Sequence, residues 1–84
     1  MGLDSVLLIV RIEETFGIPI EDSEAEKLPT IGDLEQFTIR KLEAEHRSSK
    51  SVYEAIIRVL IEEFDREPTR LNRQTTFIDD LDMT

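Results

Sequence analysis

Residues 3–37 read LDSVLLIVRIEETFGIPIEDSEAEKLPTIGDLEQF, and the spacing of their apolar side chains decides the fold class. Leu3, Val6, Leu7 and Val10 repeat at i, i+3, i+4 and i+7, and Leu8, Ile9, Ile12 and Phe16 follow the same helical period. Together they predict a helix over 3–16 with an unusually broad apolar face. Asp4 and Ser5 suit its first turn, and Gly17 followed by Pro19 stops it. Ile18 and Ile20 flank Pro19 in an extended loop. Asp22 or Ser23 then caps a short turn through Glu24, Ala25, Glu26 and Lys27, which Pro29 ends.

Thr30 opens the next helix, with Asp33 three residues on as an imperfect capping box. Its inward stripe is Ile31, Leu34, Phe37, with Thr38 beside them, and then Leu42. From Glu43 the chain turns polar: residues 43–51, EAEHRSSKS, hold no apolar side chain except Ala44. The first part extends the helix, and Ser48-Ser49-Lys50 is the linker. Ser51 caps the strongest helix, Val52 to Phe64, with Val52, Ile56, Val59, Leu60 and Phe64 inward. The last twenty residues form a loop anchored by Leu71, Phe77, Ile78 and Leu81. So long a loop in a compact domain needs either a function or anchors of its own. No strand-period segment or repeat interrupts the pattern. The expectation is one all-α domain over 1–84: three main helices and one short one, with a linker over 43–51.

Eighty-four residues allow one modest core, and 39% hydrophobic with 35% charged residues describes a compact soluble chain rather than a disordered one. There is no cysteine, which removes disulfides and thiolate metal sites. The longest apolar run, Val6 to Val10, is too short to span a bilayer, and no leader-like segment precedes it. A cytoplasmic protein is expected. The net charge of −9 opposes nucleic-acid binding, which needs clustered Lys and Arg, and favours basic protein partners.

Two stretches of this chain resemble the acyl carrier protein family, in exchanged order. In that family a first helix leads through a long loop to a Phe-x-x-Asp-Leu-Gly-x-Asp-Ser-Leu motif. Its Ser carries phosphopantetheine and opens the second, partner-recognition helix, after which a short third and a fourth helix follow. Here VYEAIIRVLIEEF resembles the first helix and DREPTRLNRQTTFIDDLDMT the long loop, yet both lie at the C-terminal end. Phe77, Asp80 and Leu81 match the closing motif, with Asp82 where Gly is usual and Thr84 where Asp is usual. Residues 3–37, including EAEKL and the Thr30-Ile31 pair, resemble the second, third and fourth helices. The resemblance implies a circularly permuted carrier, with 1–42 as its later helices and 52–84 as its first helix and loop. A polar linker from Glu45 to Lys50 suffices to join them, since chain ends are tolerated at exposed junctions. A closed monomer and a domain-swapped dimer satisfy the same contacts.

The family's implied activity is not catalysis but carriage. A thioester is held on a 4'-phosphopantetheine arm and shown to acyl-transfer or biosynthetic enzymes, in fatty acid or polyketide biosynthesis, after a phosphopantetheinyl transferase has attached the arm. Two registers for the attachment serine are open. By motif, Gly2-Leu3-Asp4-Ser5-Val6 reads as Gly-x-Asp-Ser-Leu and points to Ser5. By spacing from Phe16, the carrier serine falls at Gly2, which has no hydroxyl, and Ser5 lies one turn further along. The bland role for Ser5 is a first-turn hydroxyl bonding the backbone. On the recognition helix Asp4, Glu13 and Glu14 hold matching acidic positions. Leu7 and Arg11 stand where acidic and small residues are usual, which implies a specialised partner.

Other chemistry is weaker. Asp79, Asp80 and Asp82 lack the spacing and terminal Glu of a calcium loop, so no metal site is expected. His46 is the single histidine and lies in the polar linker without a nucleophile arranged beside it. Tyr53 and the Phe residues fall at core or anchor spacing.

Overall fold

The structure is a computed structural model and describes residues 3–83. Four α-helices run in chain order: α1 (Leu3–Phe16), α2 (Asp22–Ala25), α3 (Ile31–Ala44) and α4 (Val52–Phe64). A single 3-10 turn, Pro68–Arg70, breaks the C-terminal loop that the sequence reads as irregular throughout. Among the described residues there is no strand, only an isolated bridge between Thr30 and Thr76. The all-α bundle of three main helices and one short helix is therefore the observed fold.

α1 ends where Gly17 turns left-handed, at φ +64°, and its amide reaches back to the Glu13 carbonyl at 2.7 Å. Glycine takes that conformation without the steric cost a Cβ brings. The helix's last carbonyls are capped from afar. Arg47, in the polar linker, donates to the carbonyls of Phe16 and Gly17. Ile18 and Ile20, on either side of Pro19, both enter the core.

α2 departs from the expected turn. It starts at Asp22 and stops at Ala25, with Glu21 rather than Asp22 or Ser23 at the N-cap position and Lys27 outside. The Glu24 carboxylate accepts the Glu21 amide at 3.1 Å, which holds that first turn from the N3 side.

α3 starts as its capping pattern requires. Asp33 N donates to Thr30 Oγ1 at 3.1 Å while the Asp33 carboxylate accepts the Thr30 amide at 3.3 Å. The first two amides of the helix have no intrahelical acceptor. Ile31 N donates to the Thr75 carbonyl at 3.0 Å and Gly32 N to the Arg73 carbonyl at 2.9 Å. The C-terminal loop thus completes the N-terminus of α3. A Cβ on Gly32 would lie 2.8 Å from the Arg73 carbonyl oxygen, so this approach needs glycine.

α4 packs on both α3 and α1. Val52, Ile56, Val59 and Leu60 are buried as the spacing predicts, whereas Phe64 is only half-buried. Ser51 holds the N-cap position, but its backbone is left-handed (φ 62°) and its side chain caps nothing. α3 continues through Ala44, so the connector proper is shorter than 43–51.

Beyond α4 the loop returns across the bundle. Phe77, Leu81 and Met83 are buried in the common core and Leu71 packs partly against it. Ile78, expected as an anchor, is instead 65% exposed. Its neighbour Phe77 takes the inward direction, with its amide bonded to the Pro29 carbonyl at 3.0 Å. Arginines fasten the loop's outer side: Arg66 Nε donates to the Leu81 carbonyl at 3.1 Å, and Arg70 Nη2 to the Asp80 carbonyl at 2.6 Å. Arg73 forms a two-pronged pair with the buried Glu35 of α3, at 2.7 and 3.1 Å, and stacks over the Tyr53 ring at 4.2 Å. The hydrogen bonds to Glu35 hold Arg73 protonated more firmly than an ordinary guanidinium.

Candidate functional site: the first turn of α1 and its cavity

The first turn of α1 and residues 76–83 meet at Ser5. Its hydroxyl is half-buried and donates to the Met83 carbonyl at 3.1 Å. Met83 is itself fully buried, and its amide donates to the Phe77 carbonyl at 2.9 Å. On the other side of the turn Asp4 lies 3.8 Å from Arg66 Nη2. Gly2, the alternative register for the attachment position, lies outside the described residues.

Ser5 also belongs to the wall of a cavity of about 640 Å³ that runs beneath α1. Leu8, Ile9, Leu28, Leu34 and Phe77 make its surface largely apolar, and Glu26 and Asp79 add charge. A pocket of this size and lining accepts a flexible apolar chain and leaves few polar groups to orient it. A serine hydroxyl on that wall is chemically what a phosphodiester linkage to phosphopantetheine requires, so residue and surroundings fit the group. Among the described residues, the hydroxyl's hydrogen bond to the Met83 carbonyl is the one that has to be given up.

The docking candidates separate on α1. Asp4, Leu7, Arg11 and Glu14 follow one another at helical spacing along the outer side, with Leu7 46% exposed. Arg11 is tied down: it donates to Glu63 of α4 at 2.9 Å through Nη2 and to Glu14 at 2.9 Å through Nη1. The hydrogen bond to Glu63, then that to Glu14, keeps its guanidinium more firmly charged than usual. Glu13 points elsewhere. Its carboxylate accepts the Ile20 amide at 2.8 Å and so fixes the loop after α1.

Sequence reasoning missed Met83 and Glu63 as partners of Ser5 and Arg11, because a pairing 78 or 52 positions away leaves no local signal. Thr76 and Asp80 had a signal. They sit four apart and bond reciprocally, Thr76 N to Asp80 Oδ2 at 2.8 Å and Asp80 N to Thr76 Oγ1 at 3.0 Å. Asp80 therefore serves the loop backbone, and among the described residues no carboxylate or histidine group is arranged to hold a metal ion. No helix among them is long and apolar enough to cross a membrane.

The family described as "Phosphopantetheine attachment site" matches residues 1–38. The chain is 52% identical over 43 residues to an "Acyl carrier protein" of Thermosynechococcus vestitus, covering 51% of this chain and 53% of that protein. It is 49% identical over 36 residues to an "Acyl carrier protein" of Wolinella succinogenes, covering 43% of this chain and 47% of that one. The chain spans about half the length of these curated relatives. No solved structure matches it significantly. The N-terminal half, with Ser5 on the first turn of α1 and the cavity below it, is the part of the chain that is similar to the phosphopantetheine attachment site family and to these acyl carrier proteins.

Proposed function

We propose that this chain is a circularly permuted carrier that holds an acyl or peptidyl thioester on a phosphopantetheine arm at Ser5. The observation that carries this reading is the Ser5 hydroxyl on the wall of an apolar cavity of about 640 Å³ within the family-matched half. The arm supplies a thiol on a long flexible tether. The chain's own residues do the rest: Ser5 offers the attachment oxygen, and Leu8, Ile9, Leu34 and Phe77 give an apolar chain a dry place to rest. Ser5 needs no base of its own, because the transferase that brings coenzyme A supplies the chemistry.

Permutation is supported by the return of residues 65–83 onto α1 and α3 of the same chain. There Phe77, Leu81 and Met83 are buried, and the Met83 carbonyl accepts the Ser5 hydroxyl. The partners of this reading are a phosphopantetheinyl transferase and acyl-transfer or biosynthetic enzymes, which engage Asp4, Leu7, Arg11 and Glu14. Glu13 acts indirectly, by setting the loop after α1.

A second reading has its own observation. The Ser5 proton is committed to the Met83 carbonyl, and a domain that keeps it so acts as a noncovalent interaction module without the arm. Intact mass after incubation with coenzyme A and a broad-specificity phosphopantetheinyl transferase separates the two. Carriage at Ser5 requires a gain of one phosphopantetheine that Ser5→Ala abolishes. A folded chain that gains nothing is the interaction module, and a gain that survives Ser5→Ala places the arm elsewhere.

A further inference from the structure

The cavity beside Ser5 has a floor and a mouth, and burial tells them apart. Leu8, Ile9, Ala25, Leu34 and Phe77 are buried and make the floor. Glu26, Pro29, Ile78 and Asp79 line the same space yet are exposed, Ile78 at 65%, so they stand where it opens to solvent. Glu26 follows the last turn of α2, and Asp79 belongs to the returning C-terminal loop.

Charge at the mouth is of one sign. Among the described residues no lysine, arginine or histidine lines the cavity, and neither Glu26 nor Asp79 has a salt-bridge partner. Asp4, Glu35 and Glu63, by contrast, are each answered by an arginine. Ser5 offers an anion no substitute, because its proton goes to the Met83 carbonyl. The Asp80 carboxylate, next along the loop, is taken up by the Thr76 amide. An anionic group arriving here meets two like charges and no cation, so its desolvation goes uncompensated.

We infer that the mouth is a charge filter: the cavity holds an apolar chain whose polar end is uncharged, such as an ester or thioester, and rejects the same chain ending in a carboxylate. The inference rests on the reading of the cavity as a resting place for an apolar chain, and adds which chains it keeps. The floor grips the hydrocarbon alike in both cases, so the discrimination comes from the rim. A chain held through a thioester presents a neutral group at the mouth. The corresponding free acid presents a negative charge in the same place, so it does not compete for the cavity.

Isothermal titration calorimetry of the full chain with decanol and with decanoate tests it, at about pH 7, where decanoate is ionised. Salt at about 0.1 M keeps the Debye length near about 10 Å, so that remote charges are screened. The wild type is expected to bind decanol at least about tenfold more tightly than decanoate. A neutral head enters an apolar site more easily in any case, so the deciding quantity is how that ratio responds to the rim. Glu26→Gln with Asp79→Asn is expected to shrink it by at least about fivefold, through tighter decanoate binding. Glu43→Gln with Glu62→Gln removes the same amount of charge from exposed positions outside the cavity, and is expected to change the ratio by less than about twofold. All four side chains are exposed, and circular dichroism checks that both variants keep the helical fold. Binding of neither ligand overturns the inference together with the cavity reading. Binding of both, with a ratio that the rim variant leaves unchanged, overturns the filter alone. An equal shift in the other variant does the same, because the net charge of −9 is then what repels decanoate.

Discussion

Two long segments of this chain lie outside the α-helices, and they behave differently. Residues 45–51, between α3 and α4, lie almost wholly at the surface. Residues 65–83, after α4, bury Thr75, Phe77, Leu81 and Met83 and supply two carbonyl acceptors to the start of α3. The difference teaches that a loop becomes part of the core when apolar anchors and backbone acceptors arrive together. Thr75 shows both roles in one residue: its carbonyl receives Ile31 N, and its hydroxyl donates to the Arg70 carbonyl at 2.8 Å. The connector has one long-range task, the capping of α1 by Arg47, and is otherwise a tether.

The largest expected effect comes from removing an anchor. Leu81 is 3% exposed, and Leu81→Ala is expected to cost about 2–4 kcal/mol in urea unfolding, by lost burial and the cavity left behind. A change below about 0.5 kcal/mol would mean that the loop is not cooperative with the bundle. Next comes the close approach at Gly32. Alanine is the better helix former by about 1 kcal/mol, but its Cβ would press on the Arg73 carbonyl at 2.8 Å. Gly32→Ala is therefore expected to destabilise by about 1–2 kcal/mol, measured as a fall in melting temperature, and a rise would show that the loop yields there. Smallest is the connector. Inserting Gly-Ser between Ser48 and Ser49 is expected to change stability by less than about 0.6 kcal/mol by the same urea measurement. A larger loss would show that Arg47 cannot follow the lengthened chain to α1.

Local rules read most of the helices well. α1, α3 and α4 occupy the spans their apolar periods and stops mark out, and the Thr30–Asp33 box forms as its spacing requires. The family resemblance, drawn from the order and spacing of residues 3–37, agrees with the match to residues 1–38. What the sequence hid was paired across distance. Glu35 of α3 is buried, and its carboxylate is bonded by Arg73, 38 positions away, which also stacks over the Tyr53 ring. Ser51 has the right residue type for a cap, but its own backbone turns left-handed and points the hydroxyl away from that task. Ile78 has the right apolarity for an anchor, and Phe77 takes the place instead. At the candidate site the motif picked out Ser5, while the contact that restrains it lies at Met83, where periodicity says nothing.

The Ser5–Met83 hydrogen bond spans 78 positions, so it closes a loop almost as long as the chain. Loop-closure entropy rises only with the logarithm of length, about 0.6 kcal/mol per doubling, so the contact is not especially costly to keep. Its burden is one of timing. Contacts between distant positions form after the local helices have been ordered, and weakly held segments open before the core does. Access to Ser5 is thus a question of population rather than architecture. On the carrier reading, a transferase reaches the hydroxyl only in that fraction of molecules in which the Met83 carbonyl has released it.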